Sequence, residues 1–225
     1  MLQPKRKLGT HKEIKQDKLV TTFFQVQDWF EKYKKPVLYG VIAIIAIIAI
    51  SSYSQSVSRN KEQEASVELA KGKTAYENAR YQEATQILGP LISQYSGSQS
   101  AGFGTILLAK SFLALERYDE ALQYFQAYLD DYDDKLLTIA AHTGKASCYD
   151  QKGEYEQAAA AYEQAARADA DSFKAPALLL SAARCFHLAN DPGNARRVLH
   201  FLIDAYPDSQ SLSSAKRMLA ELGES

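Results

Sequence analysis

Two short motifs in this sequence have residue types that could bind phosphate or a cation. Gly72-Lys73-Thr74 ends like a phosphate-binding loop, in which backbone amides and a lysine hold the phosphates. That loop requires a glycine five residues before Gly72, and Val67 stands there. The acidic run 130–134 lacks the alternating ligands and the glycine of a calcium loop, so we interpret it as a solvated loop. Neither motif predicts a binding site for a nucleotide or a calcium ion.

The histidines, which are the usual zinc ligands and general bases, are not spaced as the ligands of one site. His142, His187 and His200 have no HxxxH spacing and no cysteines at zinc-ligand spacing. The chain shows no Ser/His/Asp set and no paired-carboxylate arrangement that its repeats do not already explain. The sequence therefore predicts a protein that is not an enzyme and that has no metal site, no cofactor and no small-molecule substrate.

The segments of the chain are arranged around an apolar stretch at 37–50. Its fourteen residues are uncharged, and Ser51 to Tyr53 extend the uncharged run to seventeen. A helix of that length, at about 1.5 Å per residue, spans roughly 26 Å, close to the thickness of a bilayer core. We predict a transmembrane helix over 36–54, with a buried core helix and a cleaved signal peptide as the alternatives.

The distribution of charge predicts the orientation of this span. Residues 1–35 contain nine Lys or Arg and four Asp or Glu, whereas the remainder contains 17 basic and 23 acidic residues. Basic residues flank the cytoplasmic side of a span, so we expect a cytoplasmic N-terminus and an outer domain over 65–225, joined by a helical connector over 55–64. The acidic balance of that outer part argues against nucleic-acid binding.

An amphipathic helix is predicted over 19–33, ahead of the span. Apolar residues recur there at spacings of three and four, and the tail before it is polar enough that we expect residues 1–18 to be poorly ordered. We expect this helix to lie on the cytoplasmic leaflet, or to pack on another protein chain. The expected membrane-interface residues are aromatic: Phe23, Trp29, Phe30 and Tyr33.

The outer part of the chain repeats itself every 37 residues. Alanines stand at 84, 121, 158 and 195, each followed four residues later by a large apolar residue and preceded twelve residues earlier by a small one. This pattern is similar to the tetratricopeptide repeat, in which small residues let two helices approach and large ones fill the space to the next pair. The first repeat departs from it with Ala75 and Leu88 in place of aromatics, and the fourth has an unusual turn at 190–193.

The resemblance implies an all-α fold: a single transmembrane helix, then an α-solenoid of four tetratricopeptide-like helix pairs and a C-terminal capping helix after Pro207. Cys148 and Cys185 occupy the same repeat position, where other repeats have Thr74 and Ser111. We expect both thiols to pack in the core, about 10 Å apart and beyond disulfide reach.

Binding is the function that this repeat resemblance implies. By analogy with the family, the first helix of each pair lines a concave face, and three of the four repeats are basic at one position of it. That mixture of basic and apolar groups fits an extended or helical peptide with acidic groups, although the basic groups could equally be solvated only. The expected protein-binding residues are Lys73, Tyr76, Phe103, Lys110, Leu113, Arg184 and His187.

The order of segments resembles the ancillary subunit of the bacterial Sec translocon: a short tail ending in an aromatic-rich helix, one span, then a periplasmic repeat domain. Phe23-Phe24 and Lys34-Lys35 match that plan in kind. The resemblance implies a scaffold in the bacterial inner membrane that assists protein export, with translocon subunits, exported chains or periplasmic chaperones as partners.

A second resemblance is confined to residues 196–222. Ala-Tyr-Pro-Asp-Ser and the closing Ala-Lys-Arg-Met-Leu-Ala-Glu-Leu are similar to the C-terminal repeats of the periplasmic cell-division coordinator and of outer-membrane assembly lipoproteins. This resemblance implies an alternative function: an envelope scaffold that coordinates cell-wall, division or outer-membrane assembly machinery.

Overall fold

The computed structural model describes the backbone of residues 11–223; within 11–37 it describes the side chains of 22, 23, 26, 27 and 33–36 only. This part of the chain is helical and contains no strand. The helices are α1 (His11–Glu77), α2 (Tyr81–Gln94), α3 (Gln99–Ala114), α4 (Tyr118–Asp131), α5 (Lys135–Lys152), α6 (Tyr155–Ala168), α7 (Ala175–Leu188), α8 (Pro192–Ala205) and α9 (Leu212–Glu221).

The chain divides into two units, Met1–Val57 and Ser58–Ser225. Helix α1 contributes to both units, because it runs from His11 to Glu77. It begins inside the tail that was expected to lack order, and it contains Pro36. Lys, Glu and Gln dominate residues 12–18, and these are good helix formers. One described stretch, Tyr33–Glu77, contains a window long and apolar enough to cross a membrane, and none of that window is buried inside the protein.

The second unit is the predicted solenoid. The end of α1 packs on α2, where Leu88 lies against Gly72. Three further pairs follow: α3 with α4, α5 with α6 and α7 with α8. The positions that define the 37-residue period are those that the pairs bury. Ala84, Ala121, Ala158 and Ala195 are all 0 % exposed. Four tetratricopeptide-like helix pairs and the period are therefore confirmed.

The turn inside each repeat is the same in all four. Ala79, Glu116, Gly153 and Asn190 have positive φ angles of 57°, 60°, 76° and 59°. The next residue donates its amide to a carbonyl five residues back, as Arg80 does to Ala75 at 2.9 Å, which closes the end of the first helix. The unusual sequence at 190–193 therefore changes the chemistry of the fourth turn but not its backbone path.

Two hydrophobic clusters form the core of the solenoid. One joins α1 to α5 around Leu88, Phe125 and Tyr128; the other joins α5 to α9 around Leu199 and Leu202. Helix α9 closes the second cluster with the buried Ala215, and Met218, Leu219 and Leu222 pack beside it. The predicted capping helix is thereby confirmed.

The acidic run 130–134 lies only partly in a loop. Asp130 and Asp131 form the end of α4, whereas the Asp134 side chain accepts a hydrogen bond from the Leu137 amide at 3.0 Å and caps the start of α5. A carboxylate at this position satisfies a free helix amide and complements the helix dipole. The run therefore marks a helix-to-helix junction.

Candidate protein-binding face

The first helices α3, α5 and α7 present one row of side chains, which we call the inner face and define by Phe103, Lys110, Leu113, Asp150 and Arg184. Lys110 and Arg184 share one repeat position, as do Leu113 and Asp150, and Phe103 precedes Lys110 by two turns of α3. Arg184 of α7 forms an ion pair with Asp150 of α5 across the boundary between repeats three and four. This contact shows that the row continues from one helix pair to the next.

Lys110 is the half-buried charge of the inner face. Burial lowers the pKa of its ammonium group, and the neighbouring Lys174 ammonium lowers it further. Among the described residues no carboxylate lies within ion-pair distance of Lys110. A half-buried ammonium beside a second one attracts an anionic group, because desolvation strengthens its field.

The other two members of the predicted basic row are already paired. The Lys73 ammonium lies 3.7 Å from the Glu77 carboxylate, and both side chains are more than half exposed. The Arg184 guanidinium is held by Asp150, and this carboxylate raises the pKa of Arg184. The basic row predicted from the 37-residue period thus contains one unpaired member, Lys110, and its nearby cation is Lys174, which the period does not identify.

The apolar members of the predicted set belong to one region. Tyr76, Phe103 and Leu113 are half-buried and pack against the first core cluster. The Tyr76 ring meets the Tyr81 ring edge-on, with centroids 5.5 Å apart. Burial, and then the neighbouring Tyr81, raise the pKa of Tyr76. His187, by contrast, is exposed on α7 beside the second cluster.

Phe103 lines a cavity of about 640 Å³ at one end of the inner face. Leu69 of α1 and Leu136 and Leu137 of α5 line it with Phe103, and the Leu136 side chain is 68 % exposed. Carboxylates line the same cavity: Glu62, Asp133 and Asp134. Its exposed leucine is a contact point for an apolar side chain of a partner. Sequence reasoning missed Leu136. The available signal was the pair of leucines two and three residues after the helix cap Asp134.

A second cavity, of about 870 Å³, lies between α4, α5 and α6. Lys145 on its wall donates a hydrogen bond to the Gln126 side chain at 2.5 Å. His142, also on the wall, has a buried Nδ1 atom with no hydrogen-bond partner among the described residues, and burial followed by Lys145 lowers its pKa. In the described part of the chain no three His, Cys, Asp or Glu side chains meet in a way that could hold a metal ion.

Residues 27–177, more than half of the sequence, match the model of the family described as tetratricopeptide repeat-like domain. The chain belongs to this family. Domains of this repeat fold typically serve as non-enzymatic scaffolds for protein–protein interaction. The half-buried cation Lys110 and the cavity that Phe103 and Leu136 line are features that such a scaffold would use.

Solved structures support the repeat fold of this tetratricopeptide-like protein. It is similar to the nearly identical TPR-like repeats of a Podosopora anserina kinesin light chain, with 16 % identity and a TM-score of 0.56 over 72 % of this chain and 86 % of that one. A single-substitution variant of those repeats gives 15 % identity and a TM-score of 0.52, over 72 % and 93 % of the two chains. Identities this low show the fold alone. The chain matches no curated protein.

The predicted membrane-interface residues lie in the first unit. Phe23 is 66 % exposed and Tyr33 is 40 % exposed. The side chains of Trp29 and Phe30 lie outside the described residues. Their role at a membrane surface stays a prediction.

Proposed function

We propose that this chain is a membrane-anchored scaffold that binds protein segments on its inner face and assists protein export at the bacterial inner membrane. The observation that carries the binding role is Lys110, a half-buried ammonium near Lys174 without a carboxylate partner in the described region. The same helix, α3, also carries the half-buried Phe103 and Leu113. A segment with an acidic residue flanked by apolar ones complements that arrangement.

The membrane anchor is supported by the exposed isoleucines of α1. Ile42, Ile47 and Ile50 are 53 %, 67 % and 69 % exposed, and they belong to a run with no charged residue. At about 25 cal/mol per Å² of apolar surface, leaving such a run in water is costly, and a bilayer removes the cost. With nine basic residues before Pro36, a cytoplasmic N-terminus follows from the positive-inside rule.

The export role is supported by the order of the segments, which is the order that the translocon ancillary subunit has. An aromatic-rich segment of α1 precedes the apolar run of the same helix, and the repeat domain follows it. In that plan the aromatic helix contacts translocon subunits, while the inner face receives emerging chains or periplasmic chaperones.

Crosslinking in intact membranes tests both parts of the proposal. Photoreactive residues are placed at Phe30 and at Lys110, with Gln123, an exposed residue of α4, as the control position. Capture of translocon subunits at Phe30, and of exported chains or chaperones at Lys110, supports the export role. Capture of cell-wall or outer-membrane assembly proteins at Lys110, with only lipid at Phe30, would replace it by the alternative envelope scaffold.

A further inference from the structure

The first repeat has an uncovered face, formed by α1 and α2, which we call the entry face and define by Val67, Ala70, Thr74 and Ile87. It borders a groove of about 700 Å³ between these two helices. Val67 is 56 % exposed, and Ala70 and Thr74 are exposed as well. The entry face lies at the end of the solenoid opposite the capping helix α9, away from the inner face.

The same positions are covered in every later repeat. Thr74 corresponds to Ser111, Cys148 and Cys185, which are all 0 % exposed. Ala70 corresponds to Leu107, which is 6 % exposed, to the buried Gly144 and to the half-buried Ser181. In repeats two to four, this surface is buried against the second helix of the preceding repeat. In the first repeat, no described helix takes that place.

The contact between α2 and α3 shows what kind of element fits such a surface. Gly104 of α3 corresponds to Val67, and a Cβ built on Gly104 would lie 2.7 Å from a methyl group of Leu91 and 3.7 Å from one of Leu88. Two leucines three residues apart on one helix therefore cover this surface inside the protein. Leu199 and Leu202 of α8 have the same spacing and are also completely buried.

The polar groups at the entry face already have hydrogen-bond or ion-pair partners within the chain. The hydroxyl groups of Ser66 and Thr74 donate to carbonyls of their own helix at 2.8 Å. Lys71 pairs with Glu68 at 2.6 Å, and Arg80 pairs with Glu83 at 2.8 Å. Charged side chains therefore line the groove only as ion pairs, and its remaining lining is largely apolar. An aliphatic ridge can cover that part without leaving a buried polar group unpaired.

The end of a second copy does not supply that ridge. Helix α9 buries its apolar side in the second core cluster and exposes Lys216 and Arg217. A second copy docked head-to-tail would therefore present charged side chains to the entry face. The end of a second copy is therefore a poor match, whereas an amphipathic helix of another protein with a free apolar face fits the entry face.

We propose that the entry face is a docking site for an amphipathic helix of another protein, one that presents two aliphatic side chains three residues apart. The helix takes the place that the second helix of a preceding repeat would occupy. This site is distinct from the inner face, and the two can be filled at the same time.

A peptide with the sequence of residues 191–206 is a suitable probe, because it carries Leu199 and Leu202 together with its own helix cap, Asp191. Its binding to the full-length chain in lipid nanodiscs is measured by fluorescence anisotropy. We expect saturable binding that Ala70→Glu weakens at least about tenfold. A peptide with both leucines replaced by aspartate is expected not to bind.

Controls separate this site from the inner face and from folding defects. Lys110→Ala should leave peptide binding unchanged, since it alters only the inner face. Ala70 is exposed, so Ala70→Glu should keep the thermal midpoint, and Val67→Gln provides a milder second variant. Absence of saturable binding, binding that Ala70→Glu does not affect, or self-association of the chain that Ala70→Glu abolishes would each overturn the proposal.

Discussion

The carboxylate of Glu62 in α1 caps the start of α3 through the backbone amide of Ser100, which donates to it at 3.1 Å. The neighbouring Gln99 amide donates to the other carboxylate oxygen at 2.9 Å, and the Ser100 hydroxyl also donates to Glu62. The two helices belong to different repeats. A single acidic side chain thus ties the first repeat to the second and satisfies amides that α3 cannot pair within itself.

Loss of this cap should destabilise the solenoid. Glu62→Ala leaves two helix amides without their acceptor, and we expect a loss of about 1–2 kcal/mol in the free energy of unfolding. Chemical denaturation followed by circular dichroism measures it. Glu68→Ala, which removes an exposed ion pair within α1, is the matched control and should change the value by less than about 0.5 kcal/mol. Equal effects of the two substitutions would contradict the capping role.

Gly144 is a position where the absence of a side chain permits two repeats to pack. A Cβ on this residue would overlap the ring of Phe125. We expect Gly144→Ala to lower the free energy of unfolding by about 1–3 kcal/mol, because the ring cannot move within a packed core. A combined Phe125→Leu substitution should cost less than the sum of the two single changes.

Gly193→Ala is the control for that experiment. A Cβ there meets only an Asp191 oxygen at 3.5 Å, an ordinary contact within the first turn of α8. We expect no loss of stability, and a gain of up to about 1 kcal/mol from helix propensity. If both glycines tolerate alanine equally, the packing account of Gly144 is wrong.

The recurring left-handed turn residues should respond in opposite ways to substitution. Gly153→Ala places a Cβ at φ 76° and should cost about 1 kcal/mol. Glu116→Gly removes a Cβ at φ 60° and should stabilise by up to about 1 kcal/mol, despite the greater freedom of glycine in the unfolded chain. Thermal unfolding of the two variants checks the opposite signs.

Lys110→Met should make the protein more stable and a poorer binder. The pKa of Lys110 in the folded chain lies below its ordinary value of 10.5, so folding disfavours the charged form. Between the folded pKa and 10.5 the unfolded chain holds more protons, and stability from this site therefore rises with pH in that window. At neutral pH the half-buried charge is a cost, and methionine should recover up to about 1 kcal/mol.

Titration of unfolding free energy between neutral pH and about pH 10.5 measures this effect, with the wild type showing the steeper rise. Lys73→Met is the control, since the Lys73 side chain is 51 % exposed and already near Glu77. A wild type and a Lys110→Met variant with identical pH dependence would show that Lys110 is not the responsible group.

The two native thiols should not react with thiol reagents at neutral pH while the protein is folded. Burial raises the pKa of Cys148 to about 12 and that of Cys185 to about 11, and both side chains are 0 % exposed. Thiolate is the reactive form, so labelling should require unfolding. Thr74→Cys places a thiol at the same repeat position but on the entry face, and it should react at once. Rapid labelling of the wild type in the folded state would argue against the burial of its thiols.

The sequence predicted the repeat fold well because its period is set by local packing rules. Alanine at 84, 121, 158 and 195 is required wherever two antiparallel helices touch, so the requirement reappears in each copy and becomes visible without a structure. The capping helix was predictable for the same reason: Leu212, Ala215 and Met218 show a helical apolar face after the last repeat.

The sequence predicted which repeat positions form the inner face but not which of their charges are paired. The period places Lys73, Lys110 and Arg184 at one repeat position, but their electrostatic states differ because the neighbours come from other elements. Arg184 forms an ion pair with Asp150 of the preceding first helix, α5. The positive charge of Lys174, which precedes α7, lowers the pKa of Lys110. No spacing within one repeat contains that information.

The sequence by itself therefore determined the helical class, the number of helix pairs, the 37-residue period and the apolar run, since each depends on residue type and on spacing within one or two helices. The tertiary structure alone decided which charges are paired, that Glu62 caps α3, that Leu136 lines a cavity with Phe103, and that Val67 and Ala70 stay uncovered. Each of these depends on the distance between residues far apart in the chain, and such distances are set by how complete helix pairs stack on one another.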